Sequence, residues 1–271
     1  MLTIKEITQL NELSELKQAY FSQSTSPLDG MWHFGFVPMA AHYGFYDDKN
    51  LVGFCCVKSD GYMLQFYLPN DLHSQINDLF ALIIQGKESV IGDINGAFVS
   101  TAEPQYLSLC FDNLPTISVN ALMYQHMGVN QVNDVHSIEM TLADTSQLEP
   151  LVAFAVNAIS APKEWLMGYY RHLIERQELW FYAVNQEIAA TGECRRFDDI
   201  QTQYVDLGVI VAPTQRNQGL ATRVLNHLVE LAKCQGLKAI CSTESANLGA
   251  QKAIAKAGFF APHRIVQFDF K

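Results

Sequence analysis

Residues 202–243, TQYVDLGVIVAPTQRNQGLATRVLNHLVELAKCQGLKAICST, constrain the fold more than any other part of the chain. The β-branched and aromatic residues of 202–211 predict a buried strand. After a turn, Leu220, Val224, Leu225, Leu228, Leu231 and Ala232 recur at helical spacing opposite Thr222, Arg223, Asn226, Glu230 and Lys233, and Gly236 ends the helix as a C-terminal cap would. LKAICST (237–243) is then a second strand. A strand, a crossover helix and a strand in one sheet form a right-handed unit with parallel strands. Ligands of such units sit beyond the carboxyl ends of the strands, here at the 213–221 turn with Thr243, Glu244 and Asn247.

That turn has the chemistry of an anion site. The first N–H groups of a helix lack intrahelical partners and carry the positive end of its dipole. Gly219 allows a close backbone approach, Ala221 keeps the next side chain small, and Arg216 is expected to add charge above the amides. A diphosphate fits. Directed charge-assisted hydrogen bonds, at about 1.5–3 kcal/mol each, should outweigh the dipole, at about 0.3–1 kcal/mol.

The chain has 271 residues, enough for two domains, and its net charge of −10 argues against binding to nucleic acid or anionic membranes. The start, MLTIKEITQL, lacks signal-peptide character, and no apolar run is long enough to span a bilayer, so a cytoplasmic location is expected. Cys55, Cys56, Cys110, Cys194, Cys234 and Cys241 show no metal-binding spacing and read as reduced thiols, mostly buried; no metal is expected.

The two halves share one order of elements. Residues 42–68 read as three strands joined by DDKN and KSDG turns, followed by the helix-like LHSQINDLFALII. Phe45-Tyr46 recurs as Phe181-Tyr182, and FVSTAE (98–103) as ICSTES (240–245), which suggests a divergent duplication with a boundary near VNQVND (129–134). The expected domains are 1–132 and 133–271.

QRNQGLA, after VDLGVIV and before a helix, resembles the acetyl-CoA pyrophosphate loop of the GNAT superfamily of N-acetyltransferases. ESANLGAQKAIAKAGFF (244–260) resembles that superfamily's second conserved helix through Asn247, Ala250 and Gly258-Phe259. YVDLGVIVAPTQRNQGLAT also looks like the zwittermicin-resistance branch. The resemblance implies an α/β fold of two tandem GNAT-like domains, each a mixed, mostly antiparallel central sheet flanked by helices. It implies that the strands at 202–211 and 238–243 splay apart, with pantetheine pairing to backbone near Val209 and Val211 and a bulge at Gly208. Acetyl-CoA as co-substrate would then be held by Val209, Ile210, Val211, Arg216, Asn217, Gln218, Gly219, Leu220, Ala221, Thr222 and Asn247. The first domain resembles a degenerate GNAT half without the cofactor loop: YLPNDLHSQINDL (67–79) keeps Pro69 but has neither Arg nor Gly in the loop, and Asp71 would repel phosphate.

The implied reaction is attack of a primary amine on the thioester. An amine like that of lysine must lose a proton at a cost of roughly 4–5 kcal/mol near neutrality, which calls for a base. Glu193 and Asp206 are the candidates, with a salt bridge to Arg195 or Arg196 as the alternative role, and Glu244 is a third carboxylate at the edge. Backbone N–H at Val209 or Ile210 would stabilise the oxyanion. The tyrosine that the family often places seven residues after the motif asparagine is Ile254 here, leaving Tyr204, Thr243 or solvent to protonate the leaving thiolate. Cys241, His227 and His263 read as structural. Trp165, Tyr169 and Tyr170 are candidates for lining the acceptor pocket, with core packing as the alternative there and for Trp32, Phe34 and Phe36. The expected partner is a small-molecule or peptide amine; a homodimer and a non-catalytic acyl-CoA-binding role are left open.

Overall fold

The computed structural model describes residues 2–86, 90–113, 116–128 and 138–270, apart from the side chain of His73. The chain divides into two compact units: residues 1–122 with 263–271, and residues 123–262. The boundary expected at 129–134 lies outside the described residues. Residues 263–271, placed by sequence with the second domain, group with the first unit.

Unit 1 contains β1 (Thr3–Ile7), α1 (Ser14–Ser22), β2 (Ala41–Asp47), β3 (Asn50–Val57), β4 (Tyr62–Tyr67), α2 (His73–Ile84), β5 (Gly96–Ser100), α3 (Pro104–Asp112) and most of β6 (Thr116–His126). Its sheet runs β1-β2-β3-β4-β5 and then the last strand of the chain, β12 (Phe259–Asp269), antiparallel throughout except for the parallel pair β4–β5. The three strands expected within 42–68 are β2, β3 and β4. Alternation along them buries Phe45, Cys55, Met63, Phe66 and Leu68 against Ile76, Phe80 and Ile83 of α2. Trp32 and Phe36 pack against Val37, Cys56 and Leu64, the core role offered as the alternative, while the Phe34 ring meets His33 edge-on.

Unit 2 contains β7 (Thr141–Leu142), α4 (Leu148–Ile159), α5 (Lys163–Glu175), β8 (Leu179–Val184), β9 (Glu187–Arg196), β10 (Tyr204–Val211), α6 (Leu220–Cys234), β11 (Lys238–Glu244) and α7 (Leu248–Lys256). Residues 263–269 of the last strand, β12 (Phe259–Asp269), belong to unit 1, where Ile265–Asp269 pair with β5. The unit 2 sheet runs β11-β10-β9-β8-β7, with β10–β11 parallel as the crossover required. The apolar stripe of α6 is buried through Leu220, Val224, Leu225, Leu228, Val229 and Ala232. Thr222, expected on the outer face, is buried too, and Leu231 is only half-buried. β2 to β6 and β8 to β12 therefore repeat the order strand, strand, strand, helix, strand, helix, strand, which contains the strand, strand, helix, strand that the paired motifs suggested. Among the described residues no helix is long and apolar enough to cross a membrane.

Unit 1 buries the Glu103 carboxyl group, whose titration bears on the stability of the unit. Glu103 is 9 % exposed, and burial pushes it up to about 7, against smaller opposing effects of hydrogen bonds from Tyr20 and the Ser100 N–H. Its contribution to stability is fully present below the ordinary value of 4.5 and is lost as pH rises through about 7. Glu103→Gln, which cannot ionise, should gain on the wild type by about 3 kcal/mol between pH 4.5 and pH 8. Denaturant titrations across that range measure the gap, and a gap independent of pH would contradict this account.

Candidate functional site

Parallel pairing of β10 with β11 covers Tyr204↔Lys238, Val205↔Ala239 and Asp206↔Ile240, then ends, although β10 runs on to Val211 and β11 to Glu244. The expected splay is present. On its other edge β10 pairs with β9 without interruption from Val205↔Arg196 to Val211↔Ala190. The Ala212 N–H donates to the Ala189 carbonyl at 2.9 Å, which continues that register and fixes its phase. Hydrogen-bonded and non-hydrogen-bonded pairs alternate in an antiparallel ladder. Ile210 and Gly208 therefore turn their backbone groups toward β9, while Leu207, Val209 and Val211 turn theirs toward the splay. Of the two oxyanion candidates, Val209 has its N–H on the open side and Ile210 does not.

No bulge interrupts β10 at Gly208. The glycine has a different cause: a Cβ there would lie 2.9 Å from both Arg195 Nη1 and Glu193 Oε2. These atoms belong to a buried network that the sequence anticipated only as separate pairs. Arg195 bonds Asp206 through Nη2, and through Nε at 3.1 Å; its Nη1 bonds Glu193 Oε2 and donates to Tyr169 Oη at 2.8 Å. The Tyr169 hydroxyl in turn donates to Glu193 Oε2 at 2.7 Å. Glu193, Arg195 and Asp206 are 5 %, 6 % and 1 % exposed, so the network is held almost entirely out of water.

Burial disfavours the charge on Arg195, but Asp206, Tyr169 and Glu193 more than offset this and hold the guanidinium well above its ordinary range. Burial likewise raises the Tyr169 phenol well above its usual value, so it stays a neutral hydroxyl. Two carboxylates against one guanidinium leave a net negative charge beneath α5. Tyr169 stacks on Trp165 with ring centroids 4.8 Å apart. Tyr170 is fully buried among Leu166, Leu173 and Leu179, and the other two aromatic acceptor candidates, Trp165 and Tyr169, are partly buried against the same core.

The loop after β10 is a short 3-10 turn, Pro213–Gln215, followed by Asn217 and Gly219, both left-handed, at φ 62° and 77°. Gly219 is the N-cap of α6 and has no side-chain cap, so no side chain takes up the first amides of the helix. A Cβ on Gly219 would meet nothing within 4 Å, so glycine is needed there for its backbone angle and leaves open space above it. Asparagine tolerates the same region, a local reason for Asn217 that the motif did not reveal.

Several side chains differ from expectation. Arg216 is latched to the chain: Nε donates to the Val211 carbonyl at 3.2 Å and Nη2 to the Ala158 carbonyl, in the last turn of α4, at 2.7 Å. It braces the loop with those donors. Gln218 donates to the Thr214 carbonyl at 3.1 Å. The Thr222 hydroxyl donates to the Ala253 carbonyl of α7 at 3.2 Å, and the Leu220 side chain is buried, so each offers an anion only its backbone N–H. Asn247 caps α7 by accepting from the Ala250 N–H at 3.1 Å. Tyr204 opens β10 beside Lys238 at the closed end of the splay, about 17 Å along the strand from Val209, too far to protonate a leaving group there. Ile254 and Cys241 are buried, and Glu244 is exposed.

In unit 1 the corresponding loop leads through Pro69 and a 3-10 turn at Asn70–Leu72 directly into α2, with no left-handed residue between Gly61 and Gly86. The geometry that opens α6 is missing there.

Two family models match the chain, one described as an acetyltransferase (GNAT) domain over residues 9–127, the other as the acetyltransferase (GNAT) family over 151–259. A GNAT-family acetyltransferase from Colwellia psychrerythraea is 55 % identical, covering 99 % of this chain and 100 % of its own, with a TM-score of 0.94. The chain belongs to the GNAT family of acetyltransferases. It is a tandem GNAT protein and an acyltransferase. Two more distant structures share its fold over 98 % of the chain. One is a GCN5-related N-acetyltransferase from Sphaerobacter thermophilus (10 % identical, TM-score 0.67, 94 % of that chain). The other is a tandem GNAT protein from the clavulanic acid biosynthesis pathway (11 % identical, TM-score 0.62, 98 % of that chain). No curated protein matches. The likeness to the zwittermicin-resistance branch remains a resemblance of sequence.

Among the described residues no group of three or more His, Cys, Asp or Glu could hold a metal ion. Losing the Asp206 charge removes charge-assisted hydrogen bonds of Arg195, which stays paired with Glu193, at a typical cost of about 1.5–3 kcal/mol. Asp206→Asn should therefore lower the unfolding free energy by about that amount, as measured by denaturant titration. A loss below about 1 kcal/mol would show that Arg195 does not depend on it.

Proposed function

We propose that unit 2 of this acyltransferase moves the acetyl group of acetyl-CoA to a primary amine of a small molecule or peptide. The observation that carries the reading is the uncapped amino end of α6, led by left-handed Gly219 and set at the mouth of the β10–β11 splay. The amides of Gly219, Leu220, Ala221 and Thr222 suit a diphosphate, while Arg216 braces the loop that presents them. The backbone edges of Leu207 and Val209, with the Val211 N–H, suit an extended amide chain in the splay. Acetyl-CoA, when bound, supplies an activated acetyl carbonyl.

Val209 offers the N–H that would steady negative charge on that carbonyl oxygen. Glu193 is the proton acceptor in this reading, taking the proton of the amine directly or across the neutral Tyr169 hydroxyl that bonds its Oε2. The net negative charge of Glu193, Arg195 and Asp206 favours an approaching ammonium group, and Asp206 serves as counter-ion to Arg195. Trp165 and Tyr169 offer an aromatic surface to the carbon skeleton of the acceptor. A thiol pKa of about 8.5 lets CoA leave without a dedicated acid, consistent with Ile254 at the position often held by tyrosine.

Calorimetric titration with acetyl-CoA should give a saturable heat that Gly219→Val weakens at least tenfold; wild-type protein silent at millimolar ligand would end the proposal. With an amine acceptor identified from a panel of polyamines, aminoglycosides, amino acids and peptides by thiol release, Glu193→Gln should lower kcat by about 100-fold or more, with the KM for acetyl-CoA within twofold. Unchanged kcat would remove Glu193 from the proton path.

A further inference from the structure

Unit 1 has a splay of its own. Parallel pairing of β4 with β5 ends at Met63↔Ala97, while β4 continues to Tyr67 and β5 to Ser100. A pocket of about 240 Å³ is lined there by Phe66 and Tyr67 from the end of β4, Glu103 and Tyr106 from beyond β5, and Tyr20 and Ser24 from α1 and the turn after it. The rings lie close together: Tyr20 and Tyr67 are edge-on with centroids 6.4 Å apart, and Phe66 and Tyr106 are stacked at 6.2 Å.

The polar equipment of the pocket is lopsided. The Glu103 carboxyl accepts from the Tyr20 hydroxyl through Oε1 and from the Ser100 N–H through Oε2 at 2.7 Å, which leaves lone pairs on both oxygens. Among the described residues, no Lys, Arg or His lines the pocket to balance it. Lys17, one turn before Tyr20 on α1, is not among the lining residues either. Burial holds the Glu103 carboxyl up to about 7, the behaviour of an acid without a cation beside it. Ser24 also lines the pocket, and its hydroxyl is buried without a hydrogen-bond partner. Its donor and its lone pairs are available for hydrogen bonding.

A diphosphate does not fit this chemistry, since the loop at 68–72 has no left-handed residue and places Asp71 beside the first turn of α2. A compact cation does: a carboxylate, a free hydroxyl and several ring faces together are the elements that recognise ammonium groups. We propose that the pocket of unit 1 binds a small organic ammonium ion, with its N–H donors on the Glu103 carboxylate and the Ser24 hydroxyl and its carbon skeleton against Tyr20, Phe66, Tyr67 and Tyr106. The degenerate half is then a ligand-binding module with its own specificity, whatever the acceptor in unit 2.

The test is calorimetric titration of the full chain with n-butylamine and phenethylamine, alongside 1-butanol and 2-phenylethanol as neutral counterparts, near pH 7.5. Wild-type protein should bind at least one amine at least tenfold more tightly than its alcohol. Glu103→Gln, which keeps the side-chain shape, should abolish that preference. Gln105→Trp, at the half-exposed start of α3 in the pocket lining, should block amine binding without touching the carboxylate. No amine binding by the wild type, equal affinity for amines and alcohols, or amine binding undiminished in both variants would overturn the proposal.

Discussion

A strand that stops pairing partway along its length leaves backbone donors and acceptors that must be satisfied by something other than its neighbour. In this chain β10 and β11 part after Asp206↔Ile240, and the consequences run through the whole of unit 2. The alternation fixed by pairing with β9 turns Leu207, Val209 and Val211 toward the gap. The crossover that makes the strands parallel also brings the amino end of α6 to the same edge. Unpaired strand backbone and unpaired helix amides thus converge without any side chain being required to create the site.

Side chains hold that backbone in place. Arg216 ties the loop to the last turn of α4 and to the Val211 carbonyl, and Thr222 ties the first turn of α6 to α7. Beneath α5, Arg195 gathers Glu193, Asp206 and Tyr169, and Gly208 keeps the space that this network needs. Its low accessibility makes the arrangement rigid, because any unpaired member would sit as an isolated charge or dipole away from water.

Much of this was legible in the sequence because it rests on local periodicity. The stripe of α6, the strands on either side, the left-handed glycine and the paired motifs of the two halves each show in a short window, and the family matches cover the same two stretches. What could not be read depends on register across strands. Gly208 looks like a bulge until Arg195 and Glu193 are seen beside it. Tyr204 looks close to Val209 in sequence, but extended backbone carries it to the closed end of the splay. Arg216 looks like a phosphate ligand until the Ala158 carbonyl, far off in sequence, is found against it. The grouping of 263–271 with unit 1 is likewise set by pairing with β5, to which nothing within β12 itself points. Glu103 gave no signal, since a lone glutamate before a proline at a helix start looks like any solvated turn.

The central claim is that the free amides at the start of α6 are where acetyl-CoA is held. Backbone amide NMR of the full chain during titration with acetyl-CoA tests it most directly. The account predicts that the largest shifts fall on Gly219, Leu220, Ala221 and Thr222, followed by Leu207, Val209 and Val211. Saturable binding that leaves the amides of 219–222 unmoved would contradict it.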